Sequence, residues 1–364
     1  MKVQDVVQIL DDFAPLYYAE GFDNTGLLVG DTNATVSGIL VTLDTLEEVV
    51  DEAIENNCNL IVSFHPIIFS GLKKITGKTY VERVVQKAIK NDINIFAIHT
   101  ALDNSWNGVN AMICEKLNLV NRTILIEQKE SIKKLLTFVP KNDASAVREA
   151  LFNAGGGEIG NYSNCSFNVA GEGSFNGNEN SNPTIGEKGK THFEAEIQIG
   201  ITFQKHKEAQ VLKALFDSHP YEEVAYEITT LENKNQQLGM GMIGELSNEV
   251  SEEEFLSFVK KTMKTGCVRH SKLQNKKIKK VAVLGGSGSF AIKAAKTAGA
   301  DAYVTADLKY HDFFTAENNI LLCDIGHYES EQYTKDLLVS FLTKKISNFA
   351  ILLSQINTNP ISYF

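Results

Sequence analysis

Apolar positions along the chain recur with two periods. Residues 3–19 carry Val3, Val6, Val7, Leu10 and Phe13 at helical spacing, and Pro15 disturbs the end of that helix. Short apolar runs follow at 38–44, 59–64 and 93–98, too short for helices and rich in Ile, Val, Leu and Phe. Each reads as a buried strand, and helical stretches at 46–57 and 78–91 separate them. Thr45 with Glu48 three residues later reads as a capping box for 46–57. The last third repeats this order, with strands at 280–284, 301–305 and 320–325, a helix at 289–299 and another from Ser330 onward. Alternating strands and helices predict parallel-sheet layers. Two similar α/β lobes, 1–126 and 237–364, are therefore expected.

The region between them, 127–236, has a different pattern. An extended run at 132–139 and a helix at 144–154 lead into a Gly-, Asn- and Ser-rich stretch, 155–189, whose short apolar runs look like β-hairpins. An alternating strand at 194–203, an amphipathic helix at 205–217 and a strand within 219–228 follow. A β-α-β-β-α-β order suggests a ferredoxin-like α+β insert. The predicted fold class is α/β, two lobes forming a core and one inserted domain.

At 364 residues, several domains are expected, and 43% hydrophobic with 22% charged residues fits a globular chain. The net charge of −10 argues against a nucleic-acid coat. Five scattered cysteines without a CxxC pair fit a reducing cytoplasm. The first ten residues have no secretory pattern, and no apolar run is long enough to span a membrane, so cytoplasmic location is expected.

The candidate chemistry lies where predicted strands stop. His65 follows one, and Pro66 ends the ladder there. The segment His99-Thr100-Ala101-Leu102-Asp103 follows another, and Gly326-His327-Tyr328-Glu329-Ser330-Glu331 follows the last. His327 and Glu331 are four apart and share a face if a helix begins near His327. Ligands bind at that edge of open α/β sheets. If the lobes pack about a pseudo-two-fold axis, His65, Asp103, His327 and Glu331 converge. Two imidazoles and two carboxylates without thiolates suit Zn(II), Fe(II), Mn(II) or Ni(II), and do not suit a structural zinc site. His99, and His311 after Asp307, are candidates for a general acid or base beside that ion, or for partners of its ligands. Each reads equally well as a satisfied core or loop histidine.

Other motifs carry less. Gly155-Gly156-Gly157-Glu158-Ile159-Gly160 matches a dinucleotide fingerprint by letters but follows a helix, which excludes it. Gly286-Ser287-Gly288-Ser289-Phe290-Ala291 follows a strand and reads first as a tight strand–helix turn and second as a phosphate loop. Asp23 and Asn24 sit in a glycine-bracketed turn that could face a pocket. Lys272, Lys276, Lys277, Lys279 and Lys280 read as a solvated loop.

GFDNTGLLVG at 21–30, SFHPIIFSGLK at 63–73, AIHTALD at 97–103, VLGGSGS at 283–289 and GHYESE at 326–331 together resemble the Nif-three-like family, known as GTP cyclohydrolase I type 2 homologues. AGGGEIGNYSNCSF at 154–167 and HPYEEVAYEI at 219–228 resemble the PII/CutA-like insert of its longer bacterial members. The resemblance implies a homohexamer, a trimer of dimers, with divalent transition metal (Zn, Fe or Mn), one or two ions per chain. It places the metal ligands at His65, Asp103, His327 and Glu331, with Glu331 the bridge. The family usually has two adjacent histidines before the proline, where this chain has Phe64-His65. The implied activity is hydrolytic opening of the GTP purine ring at C8 by metal-activated water. The expectation is a metal-dependent hydrolase acting on a nucleotide or related small molecule. The alternatives are a metal-loaded regulatory assembly without turnover and a metal-storage role.

Overall fold

The computed structural model describes residues 1–362. The chain separates into two compact units, one formed by Met1–Ile126 together with the chain from Gln237 onward, the other by Glu127–Gln236.

The first unit contains two mixed sheets. In one, the strands Asn94–Ala97, Leu60–Ser63, Ile39–Thr42 and Ile351–Leu353 run parallel in that order, and Gly26–Val29 pairs antiparallel with the first. In the other, Lys277–Ser287, Ala302–Ala306 and Leu321–Asp324 are parallel, and Asn235–Ser251 and Arg269–His270 flank them antiparallel. The C-terminal strand thus returns to the N-terminal sheet.

Side chains alternate along these strands, but both faces are apolar. Leu60 and Val62 enter one core while Ile61 enters another; Val281 and Val283 enter the first while Ala282 enters a third. One face of each sheet therefore contributes to a single shared core, with the helices Val3–Phe13, Val109–Lys116, Glu252–Thr262 and Thr334–Lys345. The opposite faces are covered by helices of their own, Glu47–Glu55 and Tyr80–Lys90 on one sheet and Ile292–Thr297 on the other. Burial on both faces is why these strands read as continuous apolar runs.

The second unit follows the order β-α-β-β-α-β, from the strand Ile132–Pro140 to the strand Tyr226–Leu231. Its four strands are antiparallel, and the long hairpin of Phe167–Asn176 and Thr191–Gln204 forms one side of the sheet. The helices Ala144–Asn153 and Glu208–Ser218 bury Val147, Leu151, Val211 and Leu215 against Leu135, Ile199 and Ile201.

Local details differ from the sequence reading. The helix after the second strand begins at Glu47, with Leu46 as its cap and no side-chain capping bond. Thr45 Oγ1 is buried without a partner, so the expected capping box does not form. The expected helix at 289–299 divides into a 3-10 turn, Ser289–Ala291, and a helix, Ile292–Thr297. Several lysines near 276–280 bond carbonyls: Lys276 to Asn318, Lys279 to Ser247 and Lys280 to Ala298. Among the described residues no helix is long and apolar enough to cross a membrane.

Candidate metal centre

Both halves of the candidate site lie beyond the C-terminal ends of parallel strands. Leu60–Ser63 delivers Phe64 and His65, and Asn94–Ala97 delivers the one-turn helix His99–Asp103. Ala302–Ala306 delivers Asp307, and Leu321–Asp324 delivers the short helix His327–Glu331. After two of these strands the chain passes through left-handed backbone, with φ of 32° at His99 and 57° at Asp307. Such conformations are disfavoured for residues with a Cβ and persist where the surroundings enforce them.

His65 Nε2, His327 Nε2 and a Glu331 oxygen lie close enough to share one ion. Glu331 Oε2 is 3.1 Å from His65 Nε2 and 3.2 Å from His327 Nε2. The far nitrogen of each imidazole is held by a carboxylate: His65 Nδ1 is 2.8 Å from Asp44 Oδ1 and His327 Nδ1 is 2.7 Å from Asp307 Oδ2. With Nδ1–H donating to a carboxylate, the Nε2 lone pair is directed at the centre, the tautomer that metal-binding histidines use.

Asp103 is half-buried on the wall of the adjoining cavity, beside His327 and Glu331 but outside the set of three residues whose ligand atoms lie close together. Its Oδ1, His65 Nε2 and Glu331 Oε2 are buried with no partner in hydrogen-bond geometry. Buried polar atoms are nearly always satisfied, so the two that lie in the imidazole–carboxylate cluster, His65 Nε2 and Glu331 Oε2, need an explanation. A divalent cation supplies one, because both are ligand atoms.

The electrostatics point the same way. Burial alone would lower the His65 pKa, but the Asp44 and Glu331 carboxylates raise it to about 10. Burial likewise opposes a charged His327, and Asp307 and Glu331 raise it to about 11. Burial would raise the Glu331 pKa, and the two imidazoles bring it down to about 2. Asp103 is raised well above the usual carboxylate range, first by burial and then by the Glu331 charge. The site therefore attracts positive charge.

His99 stands beside the cluster. Its ring centroid is 5.3 Å from that of His65, and its Nδ1 is 2.7 Å from Asp23 Oδ1. The Asp23 carboxylate also accepts from the Thr100 amide and hydroxyl. Burial opposes its charge, but His99 and Thr100 hold its pKa below the ordinary value. The glycine-bracketed turn at Asp23 thus faces the site. His99 lines a cavity of about 190 Å³ with Asp103, His327, Glu331 and the rings of Phe22, Phe69 and Phe290.

His311 does not join this group. It is exposed on the 3-10 segment Tyr310–Ala316, and its ring packs with Tyr310 and Phe314. The turn after Asp307 carries it outward, and Asp307 itself is the residue that reaches the site. Phe64 is fully buried, with ring centroids 4.9 Å from His65 and 5.6 Å from His99. It offers no ligand atom.

The glycine loop at 285–288 has a packing role. Gly286 has φ of 68°, and a Cβ there would lie 2.4 Å from Glu331 Oε1. The Gly286 amide donates to Ser330 Oγ at 2.9 Å. These glycines admit the Glu331 side chain, and the strand continues to Ser287 before the 3-10 turn.

A larger cavity, about 700 Å³, lies in the 127–236 unit, lined by Phe138, Phe175, Tyr221 and Glu196 among others. It contains none of the imidazole–carboxylate convergence seen at His65, which is the one such cluster found among the described residues.

Two α/β sheets joined by one core, with imidazoles and carboxylates gathered at their strand ends, define a candidate metalloprotein of the α/β class. The chain belongs to the DUF34/NIF3 (NGG1p interacting factor 3) family, whose model matches residues 1–360. A Bacillus subtilis relative named GTP cyclohydrolase 1 type 2 homolog is 39% identical, over 99% of this chain and 98% of that protein. A Staphylococcus epidermidis relative of the same name is 36% identical over the full length of both. The crystal structure of a Bacillus cereus protein related to NIF3 superposes with a TM-score of 0.87 at 36% identity, covering 100% of this chain and 99% of that one.

Proposed function

We propose that this protein is a divalent-metal-dependent hydrolase acting on a nucleotide or related small molecule. His65, Asp103, His327 and Glu331 hold one transition-metal ion, Zn(II), Fe(II) or Mn(II). The observation that carries this reading is the convergence of His65, His327 and Glu331 ligand atoms at one point, with Asp103 on the wall of the adjoining cavity. The names of the relatives support the substrate class.

When bound, such an ion lowers the pKa of a water and polarises an electrophile. The chain's residues do the rest. Asp44 and Asp307 fix the tautomer and orientation of the two imidazoles. His99, oriented by Asp23, is placed on the wall of the cavity to accept or donate a proton. Phe22, Phe69 and Phe290 present apolar rings at the same cavity and restrict water around a substrate.

The proposal extends to the rest of the molecule. The 127–236 unit is read as a ferredoxin-like module of the PII/CutA kind, supported by its β-α-β-β-α-β order and antiparallel sheet. The chain is read as assembling with its own copies into a hexamer, which light scattering tests. The activity test is GTP hydrolysis by metal-reconstituted protein, followed at the purine absorbance. Turnover that tracks metal content and disappears in Glu331→Gln supports the hydrolase. Metal-loaded protein that binds nucleotide without turnover overturns it in favour of a binding assembly.

A further inference from the structure

We propose that the C-terminal tail is a positioning element of the metal centre, with Thr358 as its working residue. The inference rests on the metal reading above and assigns a role to a segment far from any motif.

After the strand Ile351–Leu353 the described residues have no regular structure, yet they are pinned at several points. The Ser354 amide donates to the Val41 carbonyl at 2.9 Å. The Ser354 hydroxyl and the Gln355 amide both donate to the Glu52 carboxylate. Thr358 Oγ1 then donates to Asp44 Oδ2 at 2.7 Å. Asn359 Nδ2 donates to Glu329 Oε1 at 3.1 Å. Ser354 and Thr358 are buried although the segment is irregular.

Two consecutive residues therefore grip the two half sites. Thr358 holds the acid that orients His65, and Asn359 holds the short helix that carries His327 and Glu331. Asp44 needs this partner. Its side chain is 31% exposed, which leaves it room for other rotamers, while its Oδ1 must face His65 Nδ1. The Thr358 hydroxyl occupies the other oxygen and fixes the carboxylate plane. The resulting relay runs from Thr358 to Asp44, from Asp44 to His65, and from His65 to the Glu331 carboxylate. Asn359, Pro360 and Ile361 also wall a cavity of about 300 Å³ bounded by Asp44, His65 and His327. The tail thus covers the face of the imidazole pair where Asp44 stands.

Partners that orient metal ligands typically change affinity by about 10- to 100-fold when removed. Thr358 acts one bond further out, so a loss of about tenfold is expected. The experiment is a Co(II) titration of full-length, metal-free protein, read from the visible d–d bands and the apparent Kd. Thr358→Val is expected to weaken Co(II) binding about tenfold and to alter the bands, and Thr358→Ser to restore both. Thr358→Ala carries the same expectation should the valine variant not fold. Ser354→Ala, which loosens the tail at Glu52, is expected to lower Tm and leave the Kd unchanged. A Thr358→Val titration matching wild type overturns the proposal, as does an equal loss in Ser354→Ala, which would make the tail a general structural strap. If wild type itself gives no Co(II) bands, the metal reading fails as well. A normal wild type with an unaffected Thr358→Val sinks only the role of Thr358.

Discussion

Glu331 Oε2 stands 3.1 Å from His65 Nε2, although one residue lies on the fifth residue of a helix near the C-terminus and the other directly after an N-terminal strand. The two lobes meet at this pair. Its geometry follows from strand ends that face one another, and its chemistry is that of a buried carboxylate shared by two imidazoles.

Replacing Glu331 with Gln keeps the volume and removes the charge shared by both imidazoles. Metal affinity is expected to fall by roughly 100-fold or more, beyond the effect of losing an outer partner. Equilibrium dialysis against Zn(II) measures it. Retained affinity in the variant would place the metal elsewhere.

Asp44→Asn and Asp307→Asn each leave an imidazole in place but exchange the carboxylate at its Nδ1 for a neutral amide. Each is expected to weaken metal binding about 10- to 100-fold. The two losses should be similar, because the two Asp–His contacts are alike in length. Isothermal titration compares them, and an effect in only one variant would argue for a ligand set confined to one lobe.

Gly286→Ala is expected to cost more than about 1 kcal/mol of stability, because the position has a left-handed φ and its new Cβ would meet Glu331. The same change should lower metal affinity by displacing that carboxylate. Chemical denaturation and dialysis on one preparation read both effects; a stability loss with normal metal binding would mean that the glycine serves only the turn.

The metal-free protein has a defined pH profile. His65 and His327 are raised from 6.5 to about 10 and about 11, so their contribution to stability is complete below 6.5 and lost as pH rises through those values. The raised Asp103 pKa has the same sign. Glu331 is lowered from 4.5 to about 2, so its contribution is present above 4.5 and lost as pH falls through about 2. The Tm difference between chelator-treated wild type and Glu331→Gln should therefore peak between about 4.5 and 6.5 and shrink on both sides. Protons compete with the ion, so metal binding near neutral pH should release the two imidazole protons and strengthen as pH rises. A pH-independent Tm difference would contradict this electrostatic picture.

The strand ends were legible in the sequence because apolar runs of four to six residues stop abruptly at His65, His99 and His327. Both faces of each sheet are buried, and that burial writes the runs. Glu331 followed from its spacing to His327 and Asp103 from its place after a buried strand, but only Glu331 joins the two imidazoles in the cluster. Asp44 and Asp307 were not legible as holders of the imidazoles, since an acid after a strand is also ordinary turn chemistry. His311 misled because its distance from Asp307 in the chain suggested a pair, while the 3-10 segment turns it to solvent. Thr45 and Glu48 matched a cap by letters, but the helix starts one residue later than such a box requires. The roles of Gly286 and Thr358 depend on approaches between distant segments, which no local pattern encodes.

The most direct test is elemental analysis of metal per chain, on protein purified without chelators, for wild type, Phe64→His and a His65→Ala/Glu331→Gln double variant. About one transition-metal ion in wild type is predicted from the single ligand cluster, rising toward two when an imidazole replaces Phe64, and near none in the double variant. Wild type without metal, or a double variant that keeps it, would contradict the assignment of the centre to these residues.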